Sequence, residues 1–173
     1  MAEAAPETLD DGSLVRIVPV RPEDRAKLRR DIVAGFARLS AESRLNRFLS
    51  GAPRLSADQL HGLVETVDNV DHVVLGLELV NGATLIGIGR FIRDEHDLES
   101  AEVAVTVADQ WQGQGAGTAL IQALTQAAAQ RGVRRFTALV LGENEASLAM
   151  LRSAATVTEC ERGADTVKLT IEL

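Results

Sequence analysis

Apolar and polar positions alternate at period two in some stretches of this chain and fall at helical spacing in others. That change of period predicts the elements. Val103, Val105 and Val107 alternate with Glu102, Ala104 and Thr106, so 101–107 reads as a strand. A turn over 108–111 and a glycine cluster, Gly113-Gln114-Gly115-Ala116-Gly117, come next. Leu120, Ile121, Leu124, Ala127 and Ala128 then mark one face of a helix that ends at Arg131 and Gly132. Before this unit, 1–12 is acidic and aperiodic and reads as a mobile tail. A first strand over 13–20 is followed by Arg21-Pro22-Glu23-Asp24, which opens a helix whose buried face is Leu28, Ile32, Val33 and Phe36. Two short helices are expected around 39–48 and 56–64, the second with the capping-box form Ser56-Ala57-Asp58-Gln59. Strands over 73–80 and 84–92 flank Asn81-Gly82, a strong hairpin signal, and Gly87 and Gly89 imply a bulge or close packing. A strand over 136–141, a helix capped by Asn144, and a closing pair at 156–161 and 166–172 complete the order.

The chemistry concentrates in the glycine cluster. No Ser, Thr, Asp or Asn stands where the first turn of the following helix would be capped, so several main-chain N–H groups stay free, and such an end attracts phosphate. A dinucleotide fingerprint is excluded because Thr118 occupies the third glycine position counted from Gly113, and a P-loop because the stretch has no lysine. A glycine-rich start that serves only packing is the plain alternative. The spacing Gln112-x-x-Gly115-x-Gly117, directly after a Val-x-Val strand end, resembles the acyl-CoA pyrophosphate loop of the GNAT superfamily of N-acyltransferases. The runs Leu39-Ser40-x-Glu42-Ser43-Arg44-x-x-Arg47-Phe48 and Val67 to His72 resemble the subgroup that includes bacterial protein-lysine acetyltransferases.

The resemblance implies an α+β fold: a mixed, mostly antiparallel sheet of about seven strands with one splayed parallel pair, flanked by helices, in a single domain over 13–173. It implies acetyl-CoA as cosubstrate, bound by Val105, Thr106 and Val107 on the strand and by Gln112, Gly113, Gln114, Gly115, Ala116, Gly117 and Thr118 in the loop. Asn144 and Ser147 would help to position it, though Asn144 is equally well explained as a helix cap. Glu102 takes the place of the catalytic glutamate, with a solvated strand residue as the structural alternative and Glu78 and Glu99 as weaker substitutes. The tyrosine that often protonates the departing thiolate is missing, since the chain contains none and Leu151 stands at its position. Ser147 or water would serve instead. The Gly-Phe pair that usually ends that helix is also absent, replaced around 155–156.

Composition narrows the field further. With 46% hydrophobic and 25% charged residues, the 173-residue chain can build a sizeable core. A net charge of -7 argues against nucleic-acid binding and favours cationic acceptors. No apolar run is long enough for a membrane span and no signal peptide is visible, so a cytoplasmic protein is expected. Cys160 is expected as a half-buried strand residue, and His72 as a structural histidine opening a strand. The three histidines lack metal-ligand spacing. Arg44 and Arg47 either bind an acidic group or pair with Glu42 and other acids, the pairing being favoured. The expected partners are acetyl-CoA and a protein lysine or small amine, with a homodimer left open. Two other classes stand beside the enzyme: an acyl-CoA-binding module without catalysis, which the missing tyrosine suggests, and an interaction domain with no affinity for CoA.

Overall fold

Alternating valines and a glycine-started helix only become a site when the sheet is assembled around them. The computed structural model describes residues 5–82, 84–154 and 156–173. Among these, eight strands form one sheet in the order β1-β2-β3-β4-β5-β6-β8-β7. They are β1 (Glu7–Thr8), β2 (Leu14–Pro19), β3 (His72–Leu79), β4 (Leu85–Arg93), β5 (Ser100–Val107), β6 (Arg135–Leu141), β7 (Thr156–Arg162) and β8 (Thr166–Glu172). The helices are α1 (Arg25–Arg38), α2 (Ala41–Phe48), α3 (Ala57–Val64), α4 (Ala116–Ala129) and α5 (Glu145–Ala154). Every neighbouring pair is antiparallel except β5 and β6, as a mixed α+β reading requires. The eighth strand is β1, which pairs Glu7 with Val15 inside the stretch expected to be a tail. There Leu9 is buried and the Asp10 N–H reaches the Gln114 carbonyl at 3.2 Å. Residues 1–4 of that expected tail, and residue 155 in the departure at 155–156, lie outside the described residues.

The sheet has two differently covered faces. Ala101 and Val103 of β5 and Phe91 of β4 are buried beneath Leu120, Ile121 and Leu124 of α4. Successive strand residues point to opposite faces, so Glu102, Ala104 and Thr106 look the other way, toward α1, α2 and α3. On that side Leu28, Leu63, Val64, Val67 and Val74 form a second cluster, joined by Ile32, Phe48 and Ile88. Val33, assigned to the buried face of α1, is exposed because that face turns through Leu28, Ile32 and Phe36. The close packing expected at the β4 glycines is real. A Cβ at Gly89 would lie 2.8 Å from the Leu124 Cδ1, and one at Gly87 3.0 Å from the Leu120 Cδ1. A register shift near Leu77 and Glu78 adds an irregularity where β3 meets β4.

His72 does open a strand and is buried, its Nδ1 2.7 Å from the Thr66 Oγ1. Burial first, and then the nearby charge of Arg90, push its imidazole down to about 4. Cys160 is exposed, not half-buried, because β7 is the edge of the sheet.

Two outcomes follow from this packing. Gly89→Val is expected to lower unfolding free energy by about 1–3 kcal/mol, because Leu124 is fully enclosed and cannot retreat; urea titration measures it. The depressed His72 binds its proton less readily folded than unfolded. Stability is therefore complete above pH 6.5 and is lost as pH falls toward about 4, by on the order of 3 kcal/mol at most. Unfolding at pH 7, 5.5 and 4.5 should show that decline, flattened in His72→Gln.

Candidate functional site

The end of β5 and the start of α4 form a cradle of main-chain donors. Gly113 and Gly115 hold φ of 69° and 86°, a conformation that disfavours side chains, and they turn the chain from strand to helix. No side chain caps α4, and its first ladder bond runs from the Ala119 N–H to the Gly115 carbonyl at 2.9 Å. The N–H groups of Ala116, Gly117 and Thr118 therefore precede the ladder. In front of them lies a cleft of ≈ 570 Å³, within the range of small-ligand sites. Val105, Thr106, Val107, Gln112, Gly113, Gly115, Gly117, Thr118, Asn144 and Ser147 line it.

Two predicted positions do not reach that cleft. The Gln114 side chain donates to the Gln110 carbonyl at 3.1 Å, and the Ala116 methyl is buried in the core. Asn144 caps α5 by accepting the Ser147 N–H at 3.0 Å and also lines the cleft. The capping account of Asn144 is thus met, and its place in the cleft wall leaves it within reach of a bound ligand.

The cleft continues into a gap within the sheet. β5 and β6 pair at only three positions, Ser100 with Arg135, Ala101 with Phe136 and Glu102 with Thr137, and then part. Beyond that point β5 stays paired with β4 through Val107, and β6 with β8 through Leu141. The space that opens is a cavity of ≈ 280 Å³ walled by Glu102, Ala104, Val105, Val140, Ser147, Met150 and Leu151. Glu102 is exposed there, on the face that looks toward α2. The alternatives Glu78 and Glu99 are occupied elsewhere. Glu78 is buried beside Arg16 and Lys27, and Glu99 pairs with Arg134 and Arg135.

A third, small cavity of ≈ 80 Å³ lies behind the gap, lined by Phe36, Phe48, Ile88, Arg90, Ala104 and Thr106 among others. Arg47 borders all three spaces. The two arginines of α2 thus have separate fates, and neither pairs with Glu42. Arg44 binds the Phe36 and Ala37 carbonyls at the end of α1, at 3.3 and 3.2 Å. Arg47 lies over the Phe48 ring, 5.0 Å from its centroid, at the mouth of the site.

What holds α2 in place was not read from the sequence. Asp109 accepts the Ser40 N–H at 2.7 Å and the Ser43 hydroxyl at 2.5 Å. The Gln112 amide donates to the Ser43 hydroxyl at 3.0 Å, the Val107 carbonyl at 3.0 Å and Asp109 at 3.2 Å. Burial alone would raise the Asp109 carboxyl, but the bonds from Ser43 and Ser40 outweigh it and hold it below its usual range. The only local clue was Ser40, which caps α2 by accepting the Ser43 N–H. Among the described residues, no cluster of His, Cys, Asp or Glu is placed to hold a metal, and no helix is long and apolar enough to cross a membrane.

Comparison with known proteins agrees with this geometry. The model of the acetyltransferase (GNAT) family matches residues 43–155. Acetyltransferase Pat of Mycolicibacterium smegmatis is 34% identical over 141 residues, covering 82% of this chain and 40% of its own length. Acetyltransferase PA5475 of Pseudomonas aeruginosa is 32% identical over 141 residues, covering 81% of this chain and 73% of that protein. Among solved structures, the GNAT domain of S. lividans PAT superposes with a TM-score of 0.84 at 31% identity, over 99% of this chain and 97% of that one. The chain thus spans two fifths of the length of the mycobacterial relative.

The Asp109 network predicts a local effect. Asp109→Ala should cost about 1 kcal/mol, since its partners keep access to water. Amide hydrogen exchange over residues 40–48 should rise well above that of the rest of the sheet-facing helices. Unchanged exchange there would mean the network does not hold α2.

Proposed function

The chain belongs to the acetyltransferase (GNAT) family, and on that premise we propose that it transfers an acetyl group from acetyl-CoA to a primary amine, a protein lysine in the first instance. The observation that carries this reading is the continuous path from the uncapped start of α4 to the parted strands. A pyrophosphate seated on the loop amides directs a thioester arm along the edge of β5. The lysine preference is supported by the resemblance of residues 39–48 and 67–72 to the bacterial protein-lysine acetyltransferase subgroup.

In this reading each group has a defined task. The N–H groups of residues 113–118 hold the diphosphate, helped by the positive pole of α4. Gly117 leaves room that a side chain would take, since a Cβ there would lie 2.8 Å from the Met150 Sδ. A main-chain amide near Val105 polarises the thioester carbonyl and stabilises the oxyanion of the tetrahedral intermediate. An alkylammonium cannot attack, and holding an amine of pKa near 10.4 neutral at pH 7 costs about 4.6 kcal/mol. Glu102, which opens onto the gap, accepts the amine's proton directly or through water. The nitrogen then attacks the carbonyl carbon, the C–S bond breaks, and the second proton lost by that nitrogen reaches the thiolate through Ser147 or water. Leu151 is buried in the wall and has no proton to give.

The absent tyrosine favours one other reading, a domain that binds acyl-CoA without turnover. Release of free thiol from acetyl-CoA across a panel of amines and lysine peptides separates the two. For the enzyme, Glu102→Gln should lower kcat/KM at pH 7 by roughly 10²–10⁴-fold, with partial recovery at high pH as the free amine fraction grows. CoA affinity by calorimetry should change little. A variant with the parent's pH–rate profile would remove Glu102 from this role.

A further inference from the structure

Three charged side chains meet at the inner end of the site: Arg47 from α2, Arg90 from β4 and Glu102 from β5. Arg90 lies opposite Ala104 in the β4–β5 register, so Glu102 is its diagonal neighbour on the same face. Arg47 closes over them from α2, near enough that its charge, after burial, helps push the Arg90 guanidinium down to about 9. Burial likewise lowers Arg47, and Glu102 acts on both as the opposing charge.

Other half-buried arginines in this structure have settled partners. Arg25 binds the Val67 carbonyl at 2.6 Å, Arg93 pairs with Asp71 at 2.7 Å, and Arg131 binds the Asn69 and Ala127 carbonyls at 3.0 and 2.8 Å. Arg47 and Arg90 make no hydrogen bond or close ion pair among the described residues. Partly desolvated guanidiniums without acceptors are costly, and the Asp109 network fixes the start of α2, the helix that carries Arg47. Asp31, which pairs with Lys27, and Arg38 also line the small cavity, so with Glu102 the local count is three arginines against two carboxylates, still net positive in a protein of net charge -7.

We infer that Arg47 and Arg90 form a carboxylate-binding subsite, and that the preferred acceptor carries a carboxylate beside its reacting amine. Planar guanidiniums match a carboxylate's two oxygens. One added negative charge balances the cluster, whereas a phosphate would overshoot. The small cavity behind the pair, walled by Phe36, Phe48 and Ile88, is also unlike the main-chain cradle that suits a phosphate. Position selects the acceptor as the source, because Arg90 borders only that inner cavity and not the cofactor cleft. A bare ammonium is repelled by the net charge of the cluster; an amine with an acidic neighbour brings its own counter-charge.

This inference rests on the amine-acetylation reading, and its test has one arm that does not. In the unmodified ¹⁵N-labelled protein, succinate should shift two arginine Nε–H signals saturably, signals that are missing in Arg47→Gln and Arg90→Gln. The absence of any saturable shift overturns the subsite, whatever the enzyme does. In the activity arm, lysine peptides with a neighbouring Glu should exceed their Gln counterparts by roughly tenfold or more in kcat/KM, mainly through KM. That ratio should collapse toward one in Arg90→Gln and survive in part in Arg90→Lys, which guards against simple misfolding. A ratio near one in the parent, or one unchanged in both Gln variants, overturns the inference. Succinyl-CoA and acetyl-CoA are compared with a neutral amine; a gain confined to the succinyl donor overturns the assignment to the acceptor. If succinate binds but no amine is acetylated, the transfer reading fails and the subsite stands.

Discussion

The candidate site depends on β5 and β6 separating after three paired positions. Buried main-chain N–H and C=O groups almost always find partners, so two adjacent strands that stop pairing in mid-sheet are unusual. Neither strand is short of partners on its other side, since β4 follows β5, and β8 follows β6, to their ends. The break is therefore confined to one seam. α5 faces the open seam: its Met150 lines both the cleft and the gap and sits against Gly117 of α4. An extended ligand with amide groups can satisfy the free edge of β5 as a missing strand would. The candidate site lies where β5–β6 pairing stops within an otherwise continuous sheet.

The second constraint is electrostatic and comes from the opposite face. Period-two alternation sends the valines of β5 into the core under α4 and sends Glu102, Ala104 and Thr106 toward α2. The carboxylate therefore belongs to the same surface as Arg90 and Arg47. Without α2, Arg90 and Glu102 would be an exposed cross-strand pair of little consequence. With α2 clamped by Asp109, Ser43 and Gln112, Arg90 lies in a recess beneath Arg47 where charge is less screened, while Glu102 opens onto the gap. The loop that holds the diphosphate in the proposed reaction is thus tied, through Gln112, to the helix that sets the polarity of the acceptor side. An overall acidic protein can then present a locally basic floor.

Local signals read well because local chemistry decided them. The strand over 101–107, the uncapped glycine start, the Asn81-Gly82 hairpin, the Ser56 capping box and the Asn144 cap each depend on a few adjacent residues. What escaped were side chains whose partners lie far along the chain. Ser43 and Asp109 are 66 residues apart, and nothing near either one announces the other. The Gln114 side chain, readable as a ligand donor, turns back to Gln110 instead. Helical spacing could not separate Arg44 from Arg47, since three residues put them on neighbouring faces and only the position of α1 decides which finds carbonyls. Glu7 and Thr8 have no strand pattern; β1 exists because β2 offers an edge. Cys160 alternates like a core residue, but its strand lies at the end of the sheet.

The missing tyrosine is less damaging to the proposed reaction than it first looks. A thiol with a pKa near 8.5 leaves as a fairly stable anion, whereas an alkoxide would need a proton in the transition state. At pH 7 the demand on a general acid is therefore small, and water or the Ser147 hydroxyl at the mouth of the gap meets it. The harder problem is the amine, whose proton must be removed against more than three pKa units. The proposed reaction has both of its levers there: a carboxylate to take the proton, and two guanidiniums whose field lowers the amine's own affinity for it. In the proposed reaction, arginine beside glutamate thus assists the attack and selects the acceptor through the same charges.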